Sequence, residues 1–141
     1  MLITRFAGSA PWEAIYGYSR VVVAGDWAIT AGTTATGLDG VLHPDDPYRQ
    51  TLAAFTMALE ALKAAGVATE QVVRTRMYVT DISAQAEIGR AHHELFGQVR
   101  PVATMVEVTR LADPLHLVEV EVEAYIGNSD LEPSQMEDWQ P

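Results

Sequence analysis

The sequence predicts an α+β fold in which two helices pack on one face of a mixed sheet. Three observations indicate this fold. Valine-rich runs occur near both ends of the chain, two segments with helical periodicity lie between them, and the last run alternates strictly. The chain has 141 residues, the length of one domain, and its lack of cysteine excludes a disulfide framework and thiolate chemistry. We therefore expect a single domain over residues 1–126 with the order ββ-α-β-α-ββ.

The first predicted elements are a hairpin and a helix. Residues 20–31 contain two apolar runs around a Gly-Asp turn, which predicts the hairpin. Residues 32–47 are rich in glycine and proline and predict a loop with one short strand at 41–42. From Tyr48 to Ala65, large apolar residues recur every three or four positions, which is typical of an amphipathic helix.

A strand over 72–80, a helix over 84–96 and two strands over 100–108 and 117–124 complete the predicted domain. In the last strand a valine-rich face alternates with an acidic face, on which successive carboxylates are about 7 Å apart at ~3.3 Å per residue. We expect Arg74 or Arg76, on the strand over 72–80, to pair with Glu119 or Glu123 within one subunit or between subunits. The alternating residues are Val118, Val120, Val122 and Ala124 on one face and Glu119, Glu121 and Glu123 on the other.

The charge balance argues against nucleic acid as a partner. Nineteen acidic and nine basic residues give a net charge of −10, whereas binding to phosphates depends on clustered Lys and Arg. No run approaches the ~20 apolar residues that cross a bilayer, and no signal-peptide pattern is present, so we expect a cytoplasmic protein without membrane contact. Residues 127–141 are acidic and aperiodic, which predicts a disordered tail.

The four histidines do not predict a metal site. His92 and His93 are adjacent, so their side chains diverge by about 100° on a helix. His43 and His116 lie in separate predicted loops, and no His-Glu-x-x-His spacing occurs. His92 falls on the apolar stripe of its helix, where we expect a partly buried, hydrogen-bonded side chain. The chain also lacks a phosphate-binding glycine loop, so neither a metal nor a cofactor is expected.

Several separate blocks carry a resemblance to a known family. They are Ile29-Thr30-Ala31-Gly32, the segment VVRTRMYVTD at 72–81, and the C-terminal segments RPVATMVEV and LVEVEVEAY. In this order they resemble the signature of the Rid/YjgF family, also called endoribonuclease L-PSP, from about Tyr18 to Tyr125. The resemblance implies a chorismate-mutase-like fold, a homotrimer, and ligand clefts between neighbouring subunits.

The resemblance also implies an activity, the hydrolysis of reactive imines or enamines to ketones and ammonia. This chemistry needs a carboxyl group that positions water and moves protons, and a positive group that fixes the substrate carboxylate. The family's water-positioning glutamate falls on Glu121, and its pocket-lining positions fall on Tyr18, Gly32 and Thr104. The residues alone also allow non-functional interpretations. Glu121 would then be a solvated side chain, Tyr18 a packing residue where a strand begins, and Thr104 an ordinary strand residue. Gly32 would serve a backbone conformation with positive φ.

One functional position departs from the family pattern. The carboxylate-binding arginine falls on Ala103, and alanine does not reproduce a bidentate arginine contact. Three explanations are open: the substrate lacks an α-carboxylate, another cation binds it (Arg76 first, Arg110 second), or the protein binds without catalysing.

We therefore predict a Rid-like hydrolase that acts on a small C=N metabolite at a subunit interface. The alternative is a non-enzymatic trimer that binds a small metabolite, as a sensor or a chaperone-like module. RNA cleavage would need a basic groove, for which this acidic chain has no obvious source.

Overall fold

A seven-stranded mixed sheet forms the framework of residues 2–127, the part of the chain that this computed structural model describes. In chain order the elements are β1 (Ile3–Phe6), α1 (Trp12–Tyr16), β2 (Val21–Ala24), β3 (Trp27–Thr30), β4 (Thr33–Thr34), β5 (Thr36–Gly37), β6 (Gly40–Val41), α2 (Pro47–Ala64), β7 (Val72–Val79), α3 (Gln85–Phe96), β8 (Val102–Glu107) and β9 (Val118–Tyr125). The sheet order is β1-β2-β3-β9-β7-β8, and β4 pairs with β9 next to β3. β7 and β8 are parallel, the other pairs of this sheet are antiparallel, and β5 and β6 form a separate ribbon.

The strand β9 lies inside the sheet and has the predicted alternation. Its valines and Ala124 are completely buried, while Glu119, Glu121 and Glu123 are half-buried on the opposite face. A slip of one residue would move the glutamates into the core, so the register of β9 against β7 is strongly fixed. The predicted separation of an apolar and an acidic face is confirmed.

Two long helices cover the apolar face, as predicted. α2 packs against α3 and β9, and the rings of Phe55 and Phe96 meet edge to face with centroids 5.1 Å apart. α2 begins at Pro47, where the Asp46 side chain accepts a hydrogen bond from the Arg49 N–H at 3.0 Å. Gly66, with φ of 84°, follows its end and allows the chain to turn away.

The N-terminal segment adds two elements that the predicted order lacks. β1 extends the sheet by pairing antiparallel with β2, and α1 follows it. Glu13 in α1 is only 7% exposed, and its Oε1 accepts a hydrogen bond from the Gly8 N–H at 2.7 Å. The fold is α+β as predicted, but residues 2–127 contain three α-helices rather than two. The sequence did not predict α1 because a helix of five residues is too short to show periodicity.

A buried amide joins α2 to the beginning of β9. Gln50 is fully buried, and its Nε2 donates to the carbonyl oxygens of Leu42, His43 and Leu115 at 3.1–3.3 Å. Its Oε1 accepts from the N–H groups of Leu117 and Val118. One side chain thus satisfies five backbone groups from two loops and one strand, and it fixes where the acidic strand starts.

His92 is also satisfied inside the fold. Its Nε2 lies 2.8 Å from Thr75 Oγ1, and its ring contacts Phe55 and Phe96 with centroids 5.5 and 4.8 Å away. The predicted partly buried, hydrogen-bonded histidine is confirmed. Burial, followed by the neighbouring His93, lowers the pKa of His92.

Acidification is expected to destabilise the protein through His92. Its folded-state pKa lies below the ordinary value of about 6.5, so the unfolded chain binds more protons and stability falls as the pH drops from about 6.5 through the folded pKa. Urea denaturation of wild type and His92→Gln, at about pH 7.5 and about pH 5.5, measures this effect. We expect the wild type to lose more unfolding free energy than the variant, since the packing change is the same at both pH values. Equal losses would contradict the expectation.

No helix within residues 2–127 combines the length and the hydropathy required to span a bilayer. The predicted disordered tail, apart from Gly127, lies outside the described residues.

Candidate functional site

Three of the predicted site residues lie side by side on the acidic face of the sheet. Arg76 on β7 is in register with Thr104 on β8 and with Glu121 on β9. Neighbouring strands are about 4.8 Å apart and residues in register point to the same face, so the three side chains form a row across three strands.

Two carboxylates of β9 hold Arg76. Its Nη1 lies 2.6 Å from Glu123 Oε1 and 3.5 Å from Glu121 Oε2. Arg74 Nε lies 3.6 Å from Glu123 Oε2, so the expected pairing with Glu123 is confirmed within one chain. The side chain of Arg76 is still 35% exposed, and exposed ion pairs contribute little to stability. These pairs therefore mainly fix the positions of the side chains on the acidic face.

Arg20 connects the other two predicted residues. Its guanidinium carbon lies 5.6 Å from the ring centroid of Tyr18, and its Nη1 donates to the Gly32 carbonyl oxygen at 2.8 Å. Arg20 Nε also pairs with Glu13 Oε2 at 3.4 Å, which anchors α1 to the same place. Tyr18 and Gly32 therefore belong to one cluster, although they do not lie in the row with Arg76.

The reason for glycine at position 32 differs from the expected one. Gly32 is not among the glycines of residues 2–127 that adopt positive φ, so the prediction of a left-handed backbone is wrong. A Cβ atom at this position would lie 2.9 Å from Glu119 Oε2 and 3.0 Å from Glu119 Cδ. Glycine lets the Glu119 side chain pack directly against the backbone, and a larger residue would displace the end of that side chain.

This contact brings Glu119 into the site, a residue that sequence reasoning did not select. Thr34, two residues after Gly32, pairs with Glu119 across β4 and β9, and Tyr78 flanks it on β7. Burial raises the pKa of Glu119, the negative charge of Glu121 raises it further, and Arg20 lowers it. The pKa of Tyr78 is raised by its own burial and by its interaction with Glu121. The Tyr18–Arg20–Gly32 cluster and the Arg76 row thus meet at Glu119.

Ala103 occupies the opposite face of the sheet. It is in register with Thr75, which is buried under α3, and Met105, two residues further along β8, packs against the core. The sheet therefore separates Ala103 from Arg76 and Glu121 of the same chain. Arg76 does not replace the family's arginine within one chain, and Arg110 lies exposed in the loop after β8.

The acidic face is open in a single chain. Two surface depressions of about 390 and 500 Å³ lie elsewhere, one beside α2 and one around the end of α3. Neither is lined by the predicted site residues. Within residues 2–127, no three His, Asp or Glu side chains are grouped to hold a metal ion. The candidate site is therefore a polar sheet face, and water is excluded from it only if a further surface covers it.

The protein is thus a small mixed-sheet domain in which two helices cover one face and the strand β9 carries three glutamates on the other. The family model described as endoribonuclease L-PSP matches residues 8–126. The chain belongs to this family, and the resemblance found in its sequence is confirmed at that level.

Similar proteins include uncharacterised ones. A protein of unknown character from Streptomyces coelicolor is 44% identical over 128 residues, which cover 91% of this chain and 96% of that protein. A crystal structure of a YjgF/YER057c/UK114 family member from Mycobacterium tuberculosis has a TM-score of 0.81 and 43% identity, and it covers 89% of this chain and 100% of that one. A Rid-family protein of unknown function from Yersinia pestis has a TM-score of 0.78 and 25% identity, over 89% of this chain and all of that one. These similarities support the fold and the family.

Proposed function

We propose that this protein hydrolyses a small imine, enamine or related C=N metabolite and releases ammonia. Glu121 positions the attacking water and accepts its proton, and Tyr18, Gly32, Thr104 and Arg76 line the cleft. The observation that supports this most is the row of Thr104, Arg76 and Glu121 in register across three strands. No metal or cofactor is required for this reaction.

The charges on the face favour a substrate without an α-carboxylate. Arg76, the cation in the row, is already paired with Glu123 and Glu121, and Ala103 offers no charge. A substrate carboxylate would approach three glutamates and find no free guanidinium in the row. A neutral or positively charged C=N compound avoids this repulsion, which supports the first of the three explanations for the missing arginine.

The cleft is completed by a homotrimer with the chorismate-mutase-like arrangement of the family. In support, β8 is an edge strand along which Val102 and Val106 are 59% and 42% exposed, and the acidic face is open beside it. Exposed sheet edges and apolar strand residues are usually covered in the native assembly. Light scattering on the purified protein tests this point, and a monomer at micromolar concentration would contradict it. A cytoplasmic location remains a prediction of the sequence.

The activity is tested by trapping free imines with semicarbazide. Imines are generated in two series, from amines by a flavin-dependent amine oxidase and from amino acids by an amino-acid oxidase, and semicarbazone formation is followed with and without the protein. We expect the protein to suppress trapping in the amine series and to have little effect on α-imino acids. Unchanged trapping in both series would exclude this function.

Glu121→Gln is expected to lower kcat/KM by about 100-fold, since general base catalysis contributes about 10²–10⁴. The amide keeps the size of the side chain but cannot accept the proton of water. Glu60→Gln, an exposed position on α2, is the matched control and should retain wild-type activity. If Glu121→Gln were as active as this control, Glu121 would not be the water-positioning residue.

A non-enzymatic metabolite-binding trimer is the second candidate, and Ala103 is the observation that favours it. Such a protein would show saturable binding of a C=N compound or its product by calorimetry, together with unchanged semicarbazone formation. The two functions are therefore separated by turnover alone.

A further inference from the structure

Glu119 and Glu121 form a pair of carboxyl groups with different surroundings. They are two residues apart on one face of β9, which places their backbones about 7 Å apart. Side chains two residues apart on one strand face can both reach one small C=N group and its attacking water.

The two groups differ in their contacts. Glu121 lies 3.5 Å from the Arg76 guanidinium and so has a direct cationic partner. Glu119 has no ion pair or hydrogen bond to any of the described residues, and it packs against the backbone of Gly32. One carboxyl group thus has a cationic partner, and the other is half-buried against the backbone and has none.

The ionisable groups that face Glu119 are few. On its own strand the neighbour is Glu121, on β7 it is Tyr78, and on the side of Gly32 it is Arg20. Arg20 is itself occupied by Glu13, the Gly32 carbonyl and Thr33. Burial raises the pKa of Glu119, and the repulsion from Glu121 acts in the same direction. In a pair of carboxyl groups, the member that is buried without a cationic partner is the one suited to act as the acid.

We infer that Glu119 is the general acid of the site and works as a pair with Glu121, a role that rests on the proposed hydrolysis. Glu119 transfers its proton to the C=N nitrogen, and the resulting iminium is stabilised by both carboxylates. Water then adds to the carbon and gives a proton to Glu121, which forms a neutral carbinolamine. As the C–N bond breaks, the proton on Glu121 moves to nitrogen and the carbinol proton moves to Glu119. Ketone and ammonia are released, and both glutamates return to their starting states.

The first test is kinetic and uses the wild type, Glu119→Gln and Glu60→Gln in the same coupled assay. The protonated form of Glu119 is the active one, so wild-type kcat/KM should decrease as the pH rises through its pKa. Glu119→Gln should be about 100-fold slower at the optimum and should lose this decrease. Glu60→Gln should keep the wild-type rate and profile. If Glu119→Gln kept the wild-type rate and pH profile, the inference would be overturned while the proposed function stood.

The second test does not depend on turnover. In the full-length protein with ¹³C-labelled glutamate, the carboxyl resonance that disappears in Glu119→Gln is followed against pH beside that of Glu60. A higher midpoint for Glu119 than for Glu60 supports the inference, and equal midpoints overturn it even if the enzyme is active. A wild type with no activity in either series removes the proposed function, and the acid role of Glu119 with it.

Discussion

Replacing Gln50 by leucine is expected to destabilise the protein by about 4 kcal/mol. Each buried backbone group that loses its partner costs about 1–3 kcal/mol, and Gln50 serves five of them. The estimate lies below the simple sum because water reaches part of the exposed Leu42 and Leu115 segments. Gln50→Glu should be at least as harmful, because a carboxylate cannot donate to three carbonyl oxygens and its charge would be buried.

Urea denaturation measures this loss as the change in unfolding free energy. Gln85→Leu is the matched control, because Gln85 is exposed in the first turn of α3 and its replacement should change stability by less than about 0.5 kcal/mol. Equal stability of the two leucine variants would show that the Gln50 bonds do not hold the start of β9.

Arg20→Met is the second variant for which we expect a large effect, about 3 kcal/mol of lost stability. The Arg20 and Glu13 side chains are only 15% and 7% exposed, and removing one member of a buried pair leaves the other charge without compensation. The Gly32 carbonyl oxygen also loses its donor, so the backbone beside Glu119 becomes less ordered.

A double-mutant cycle with Glu13→Gln separates these contributions. The amide can still accept the Gly8 N–H bond but carries no charge, so Arg20→Met should cost at least about 1 kcal/mol less in this background. Arg49→Met is the control at an exposed pair, where Arg49 and Asp46 are 67% and 46% exposed and little change is expected. Additive effects of Arg20→Met and Glu13→Gln would mean that the pair does not act as a unit.

The parts of the fold that could be predicted from the sequence are those with a regular apolar pattern, alternating in strands and recurring every three or four residues in helices. β9, α2 and α3 were predicted because each buries one regular face, and their observed ends lie within one residue of the predicted ones for both helices. β1 and α1 were missed because such short elements give no period and, unlike β2 and β3, are not joined by a recognisable turn. The place of β1 is set by its pairing with β2 and that of α1 by the contact between Glu13 and Arg20, and no local pattern reveals either.

The candidate site was predictable to the extent that it follows strand alternation. That rule predicted Arg76 and Glu121 on one face, whereas the position of Thr104 beside them follows from the register of β8 against β7. Glu119 was not selected because its difference from Glu121 comes from the packing of Gly32, and this depends on how β4 pairs with β9. The sequence also did not show that Ala103 and Arg76 lie on opposite faces of the sheet. This follows from the register between β7 and β8, which pairs Ala103 with Thr75 and Thr104 with Arg76.

The strict alternation of β9 limits how this protein can be re-engineered for new substrates. In the sequence of β9, each glutamate stands between two completely buried residues. Inserting or deleting one residue in the strand would therefore move the following glutamates to the core face and the following valines to the opposite face. Directed evolution should therefore keep the length of this strand and exchange single side chains. Positions 104 and 119 are the most promising for a combinatorial library, because neither of them belongs to the buried valine face.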